Sequence, residues 1–178
     1  MPTIEQTVVP VREAATRRTG RGFSIAELVM VLAILGIFAG IAAPRFSAAT
    51  NRSAVDQAAD RIVGLHERAV RSAGAQSGSA RIACDPGTDS LTLSTAGSGD
   101  VRLDLGAEPY RVDIVAVDYG GAASVTINAW GDADVASLYR LRRGGVERIV
   151  QIGLRAAENR ILTEDDAAWE PLANQLPK

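Results

Sequence analysis

Gly22-Phe23-Ser24-Ile25-Ala26-Glu27-Leu28-Val29-Met30-Val31-Leu32-Ala33-Ile34-Leu35-Gly36-Ile37-Phe38-Ala39-Gly40-Ile41-Ala42-Ala43-Pro44-Arg45 is the stretch on which the reading of the chain turns. Between Gly22 and Arg45 its one ionisable side chain is Glu27. A helix rises about 1.5 Å per residue, and about 20 apolar residues cross a bilayer core of about 30 Å. Residues 23–44 therefore suffice for a membrane span. Arg17, Arg18 and Arg21 lie just before it and favour a cytoplasmic amino-terminal side.

Glu27 is the exception in this run. A carboxylate in hydrocarbon is costly and is usually paired and functional; near a helix end it can instead reach the headgroups. Both readings stand on these grounds. A cut after Gly22 would place a new ammonium on Phe23, a natural partner for a carboxylate in lipid. Ser24 is also placed to cap the helix, with Glu27 at the third helical position completing a capping box. Gly36 and Gly40 are four apart on one face, a small-xxx-small spacing that lets membrane helices approach closely. Pro44 closes the apolar run and is expected to kink the helix.

The helical pattern then resumes. Phe46, Ala49, Val55, Ala58, Ala59, Ile62, Leu65, Ala69 and Val70 follow steps of three and four and make one apolar stripe. Arg52, Asp56, Asp60, Arg61, Glu67, Arg68 and Arg71 fall largely off it, and Asn51-Arg52-Ser53 suggests a local break. The spacing predicts one helix from about Ser24 to Ala73, kinked near Pro44 and roughly 75 Å long, whose second half lays its stripe on a sheet. His66 sits beside Leu65 and is expected at the surface or the edge of the core.

Gly74 to Ser79 ends the helix, and short strands follow. Ala80 to Cys84 is followed by a turn at Asp85 to Asp89. Leu91, Leu93 and Thr95 alternate, as do Val101, Leu103 and Leu105, across the glycine-rich turn from Ala96 to Asp100. Val112, Ile114 and Ala116 alternate next, and Gly120-Gly121 turns into Val125 and Ile127. The clearest hairpin joins Leu138–Arg143 to Val146–Ile152 through Gly144-Gly145. It pairs Arg143 with Val146 and Arg142 with Glu147 as opposite charges, and puts Tyr139, Leu141, Val150 and Ile152 on one face. From Ala156 the chain reads as a loosely ordered tail, with Trp169 docking back on the domain.

The chain of 178 residues carries a formal charge of −2. The first 22 residues hold four arginines against two glutamates, so the remainder stands at −4. That balance gives no global electrostatic reason to bind nucleic acid. Cys84 is alone, so no intrachain disulfide forms; it is expected as a small buried residue on a strand, with an intermolecular thiol as the alternative. With one His and one Cys, nucleophile–base arrangements have little to build on, and no glycine-rich phosphate loop is present. Asp132 and Asp134 alternate as calcium ligands do, but the remaining ligands are missing and a polar turn is expected. Neither an enzyme, a metal nor a cofactor is expected. Arg140, Arg142, Arg143 and Arg148 read either as a solvated strand face or as a patch for DNA phosphates.

Arg21-Gly22-Phe23-Ser24-Ile25-Ala26-Glu27 with the apolar run behind it resembles the class III signal of type IV pilins and type II secretion pseudopilins. The resemblance implies that a prepilin peptidase and methyltransferase cuts between Gly22 and Phe23 and methylates the Phe23 amine. It implies that Glu27 is the acid that helps subunits join a filament. Ser24, Ile25 and Ala26 depart mildly from the usual Gly-Phe-Thr-Leu-Ile-Glu core. The order Val125 to Asp132, Leu138 to Leu141 and Arg148 to Ile152 is similar in pattern to H-type minor pseudopilins and FimT-like minor pilins, without the proline often found between the aromatic residue and the glycine.

What the resemblance implies is an α+β chain of the pilin fold, a long kinked amino-terminal helix on antiparallel β-sheets. The expected division is a cleaved leader (1–22), a transmembrane half-helix (23–44), an amphipathic half (45–74), a periplasmic β-rich domain (75–162) and the tail (163–178). Partners would be other pilin or pseudopilin subunits, the peptidase, an inner-membrane assembly platform and the lipid bilayer. The implied role is a minor pseudopilin of a type II secretion system in the bacterial inner membrane, with a DNA-binding minor pilin used in uptake as the alternative.

Overall fold

The computed structural model describes residues 23–155 and 158–176. The expected leader, with Gly22 at its end, lies outside the described residues, as do the side chains of positions 42–44 and hence the packing expected of Pro44. The chain divides into two units, one ending at Gly40 and one beginning at Ile41. A single helix, α1 (Ile25–Ala75), contributes to both.

In the first unit the helix is apolar on all sides, and Leu28, Met30, Leu35, Ile37 and Phe38 are each more than half exposed. A helix apolar all round is stable only where lipid or other chains surround it. By length and composition it can cross a membrane.

In the second unit the same helix becomes amphipathic. Val55, Ala58, Ala59, Ile62, Leu65, Ala69 and Ala73 are buried in one core, following the stripe from Val55 onward, whereas Phe46 and Ala49 at its expected start are exposed. The helix runs through Asn51-Arg52-Ser53 without the expected break. Polar side chains there are used inside the helix: Thr50 Oγ1 donates to the Phe46 carbonyl at 2.9 Å and Gln57 Nε2 to Ser53 Oγ at 3.0 Å.

Eight strands follow among the described residues: β1 (Ala80–Asp85), β2 (Ser90–Thr95), β3 (Ser98–Asp104), β4 (Asp113–Asp118), β5 (Val125–Ile127), β6 (Ser137–Arg143), β7 (Val146–Ile152) and β8 (Arg160–Leu162). They form two four-stranded antiparallel sheets, ordered β3-β2-β1-β5 and β4-β6-β7-β8. The β2–β3 turn is tighter than its glycine content suggests, since Thr95 already pairs with Ser98. Gly97 takes φ +80° there. Although Gly120-Gly121 leads from β4 towards β5, those strands do not pair. β5 lies on β1 in the first sheet and β4 on β6 in the second.

The late hairpin has the expected register, Arg143 opposite Val146 and Arg142 opposite Glu147. Its turn touches the helix: at Gly144, with φ +58°, an added Cβ would lie 2.5 Å from Asn51 Nδ2. Tyr139, Leu141, Val150 and Ile152 face α1 in the main core. Leu138 and Ile149 face the other way, where Ala116, Leu162, Trp169 and Leu176 close a second, smaller core. Residues 163–176 thus carry structure that the acidic run hides: a short helix, α2 (Trp169–Ala173), with Trp169, Leu172 and Leu176 at helical spacing. Trp169 docks on the sheet as expected.

Ile62 is fully buried on α1, so Ile62→Ala should lower the stability of the second unit by about 2–5 kcal/mol in urea titration. Gly64, on the same helix, has room for a Cβ with nothing within 4 Å. Gly64→Ala should therefore stabilise by up to about 1 kcal/mol.

Candidate functional site

The helix start is built as its sequence requires. Ser24 is the residue before α1, and its Oγ accepts from the Glu27 backbone N–H at 3.2 Å. The Glu27 carboxylate returns the contact, accepting from the Ser24 backbone N–H at 3.0 Å through Oε2. This reciprocal pair is a capping box. It holds Glu27 at the amino-terminal end of an apolar helix, one turn from Phe23, which is 84% exposed. Among the described residues no cation pairs with Glu27. The carboxylate can therefore take an ammonium donor from outside the described chain.

Gly36 and Gly40 lie further along, and a Cβ on either would meet nothing within 4 Å. The chain itself has no steric need of glycine at those positions. Small residues at this spacing leave room for backbone-to-backbone packing of helices in lipid.

The four candidate arginines of the hairpin do not form a common free patch. Arg140 grips Glu147 through Nε at 2.8 Å and Nη2 at 2.7 Å. The opposite charges thus pair on the diagonal, instead of directly across the strands as Arg142 and Glu147 were expected to do. Arg148 binds Asp56 of α1 through Nε at 2.8 Å, with its side chain only 11% exposed. Arg143 donates to the Tyr110 carbonyl. Arg142 alone of the four is exposed and in no hydrogen bond or ion pair among the described residues.

His66 is where the structure departs most from expectation. It is 2% exposed, inside the helix–sheet core instead of at its edge. The signal was present: position 66 is four after Ile62 and three before Ala69, on the stripe. Its Nε2 meets Tyr139 Oη at 2.9 Å, and Nδ1 has no partner among the described residues. Burial pulls its pKa from 6.5 down to about 4, so it stays neutral and takes up no proton near neutral pH. Tyr119 and Tyr139 meet edge to face at 5.8 Å, and burial pushes both phenols up. The Cys84 thiol on β1 is pushed up to about 12 by burial, helped by Asp85 and Asp89. Such a thiol is a poor nucleophile. The cavity beside His66 holds about 20 Å³, the space of a single water.

Asp132 and Asp134 go separate ways. Asp134 Oδ1 accepts from the Thr126 backbone N–H at 2.8 Å, and Asp132 faces Arg155 at 3.7 Å. This is the polar turn expected from the sequence, further braced by Asn128 Oδ1, which accepts from the backbone of Trp130 and Asp132.

No protein-family model and no curated protein matches the chain. Two crystal structures of the type IV minor pilin FimU of Pseudomonas aeruginosa align with it at 16% identity. One reaches a TM-score of 0.43 over 72% of this chain and 96% of the FimU chain, the other 0.40 over 69% and 97%. Both scores lie below the level at which a shared fold follows.

The buried histidine predicts a pH dependence. Unfolded, His66 takes a proton below about 6.5; folded, it refuses one until about 4. Its contribution is complete above pH 6.5, falls as pH drops through that window and is gone below 4. The loss totals about 3 kcal/mol at 1.36 kcal/mol per decade. Urea titrations of wild type and His66→Gln should show the wild type losing more stability between those limits, by about that amount.

Proposed function

We propose that this chain is a filament subunit anchored by its amino-terminal helix, a minor pseudopilin of a type II secretion system in the bacterial inner membrane. The observation that carries the reading is the first turn of α1. A single carboxylate, Glu27, is held by a capping box at the head of a helix whose apolar surface is exposed all round. Such a surface has to be covered by lipid before assembly and by other helices after it.

In this reading a prepilin peptidase cuts between Gly22 and Phe23 and the same enzyme methylates the new amine. The leader is cytoplasmic and the β-rich unit is periplasmic. On an assembly platform the Phe23 ammonium of one subunit meets Glu27 of its neighbour, and the neighbouring helices pack through Gly36, Gly40 and the region of Pro44. The ion pair forms in a low-dielectric setting, where a charge-assisted contact is strong and an unpaired charge is costly. Glu27 exchanges its contact with its own Ser24 for a charged donor. The chemistry is assembly, and the β-rich unit is cargo carried at the end of the helix. Secretion rather than uptake is favoured because three of the four hairpin arginines are committed within the fold.

Mass spectrometry of the membrane-bound protein should find the chain starting at N-methylated Phe23; an intact leader in cells with active peptidase would sink the reading. Glu27→Ala should still be cleaved, yet its incorporation into filaments should fall at least about tenfold. Deleting the gene should trap secreted proteins in the periplasm; loss of DNA uptake with secretion intact would point to the uptake system instead.

A further inference from the structure

A trough of about 250 Å³ runs between α1 and β3, the free edge of the first sheet. Its apolar lining comes from Leu65 on the helix and from Val101 and Leu103 on the strand. Arg61, Arg68 and Arg102 also line it, and all three are exposed. None of the three forms a hydrogen bond or ion pair among the described residues. Arg71, Arg111, Arg140, Arg148 and Arg155, by contrast, each face a carboxylate. Three cations without an ion pair among the described residues thus line one place, with Asp100 and Asp104 flanking Arg102 along β3.

Gly64 is the second observation. It lies in the middle of α1, on the face between Arg61 and Arg68, where glycine weakens a helix by about 1 kcal/mol relative to alanine. A Cβ there would meet nothing within 4 Å, so no internal contact demands the glycine. What its missing side chain does is keep the trough open. The volume is below that of sites for drug-sized ligands, about 300–1,000 Å³, which suits a segment passing through better than an enclosed small molecule. β3 supplies a third element: an outer edge that pairs with no other strand among the described residues. An open edge is a template for a further strand, its alternate side chains finding pockets beside it.

We propose that this trough takes an extended acidic segment of a partner polypeptide, added along β3 with alternate carboxylates turned toward α1, their stems on Val101 and Leu103 and their charges on Arg61 and Arg68, and with the intervening side chains on the outer face where Arg102 lies. The apolar lining and the strand edge fit a polypeptide and have no use for a phosphodiester backbone. The proposal is independent of the filament reading, since it concerns residues of the second unit alone.

The test uses the detergent-solubilised full chain and a short fluorescein-labelled peptide of alternating glutamate and valine, followed by anisotropy. Binding should weaken about tenfold or more in Arg61→Glu/Arg68→Glu. Gly64→Leu, which fills the trough without touching a charge, should weaken it similarly while thermal unfolding is retained. N-methylation of alternate peptide bonds should also weaken binding, because it removes strand hydrogen bonds. Equal affinity for wild type and both variants would overturn the proposal, as would indifference to N-methylation. Displacement by a duplex oligonucleotide of the same charge, bound more tightly than the peptide, would make the trough a phosphate site and overturn it too.

Discussion

The contact on which the second unit depends is the seam between α1 and the two sheets. Val55, Ala58, Ala59, Ile62, Leu65, Ala69 and Ala73 meet residues of both sheets in one core, among them Ile82, Leu91, Val125, Tyr139, Leu141 and Val150. The stripe is rich in alanine, and small side chains let strands come close enough to interdigitate larger ones against the helix. The sheets share no strand, so the helix is what gives them a common core. The Arg148–Asp56 pair and the contact of Gly144 with Asn51 fasten the hairpin to the same helix.

One helix therefore has two kinds of surface. Its first part hides nothing and is soluble only among apolar neighbours; its second part buries one face and leaves arginines and acids on the other. Helix is assigned without interruption from Ile25 to Ala75. Gly36, Gly40 and Gly64 all have open space where a side chain would be, and a fold that needs none of them for its own packing keeps the helix smooth there.

Much of this was readable from local pattern. The stripe located the buried face of α1, and the two glycines at 144 and 145 set a hairpin whose register follows residue by residue. The contacts at the head of the helix follow from Ser24 and Glu27 three residues apart. What local pattern could not give was pairing between distant strands: β5 goes to β1 and β4 to β6, choices made by the core and not by the turns. Long side chains also defeated simple opposition, since Arg140 reaches diagonally to Glu147. His66 has a polar side chain at a core position of the stripe, and position prevails over residue type. The trough beside β3 was invisible, for it needs a helix face and a strand edge that meet only in three dimensions.

The Asn128-braced turn has a further consequence. It holds Trp130 in water, 87% exposed, while Trp169 is 8% exposed against the second sheet, and the chain has no other tryptophan. The protein thereby carries two optical reporters in opposite surroundings. Red-shifted emission open to aqueous quenchers belongs to Trp130, and blue-shifted, protected emission to Trp169. Selective protection of the first would signal a neighbour arriving at the turn, and loss of the second the lifting of α2 from its sheet, so that association and loosening can be watched separately in one unlabelled sample.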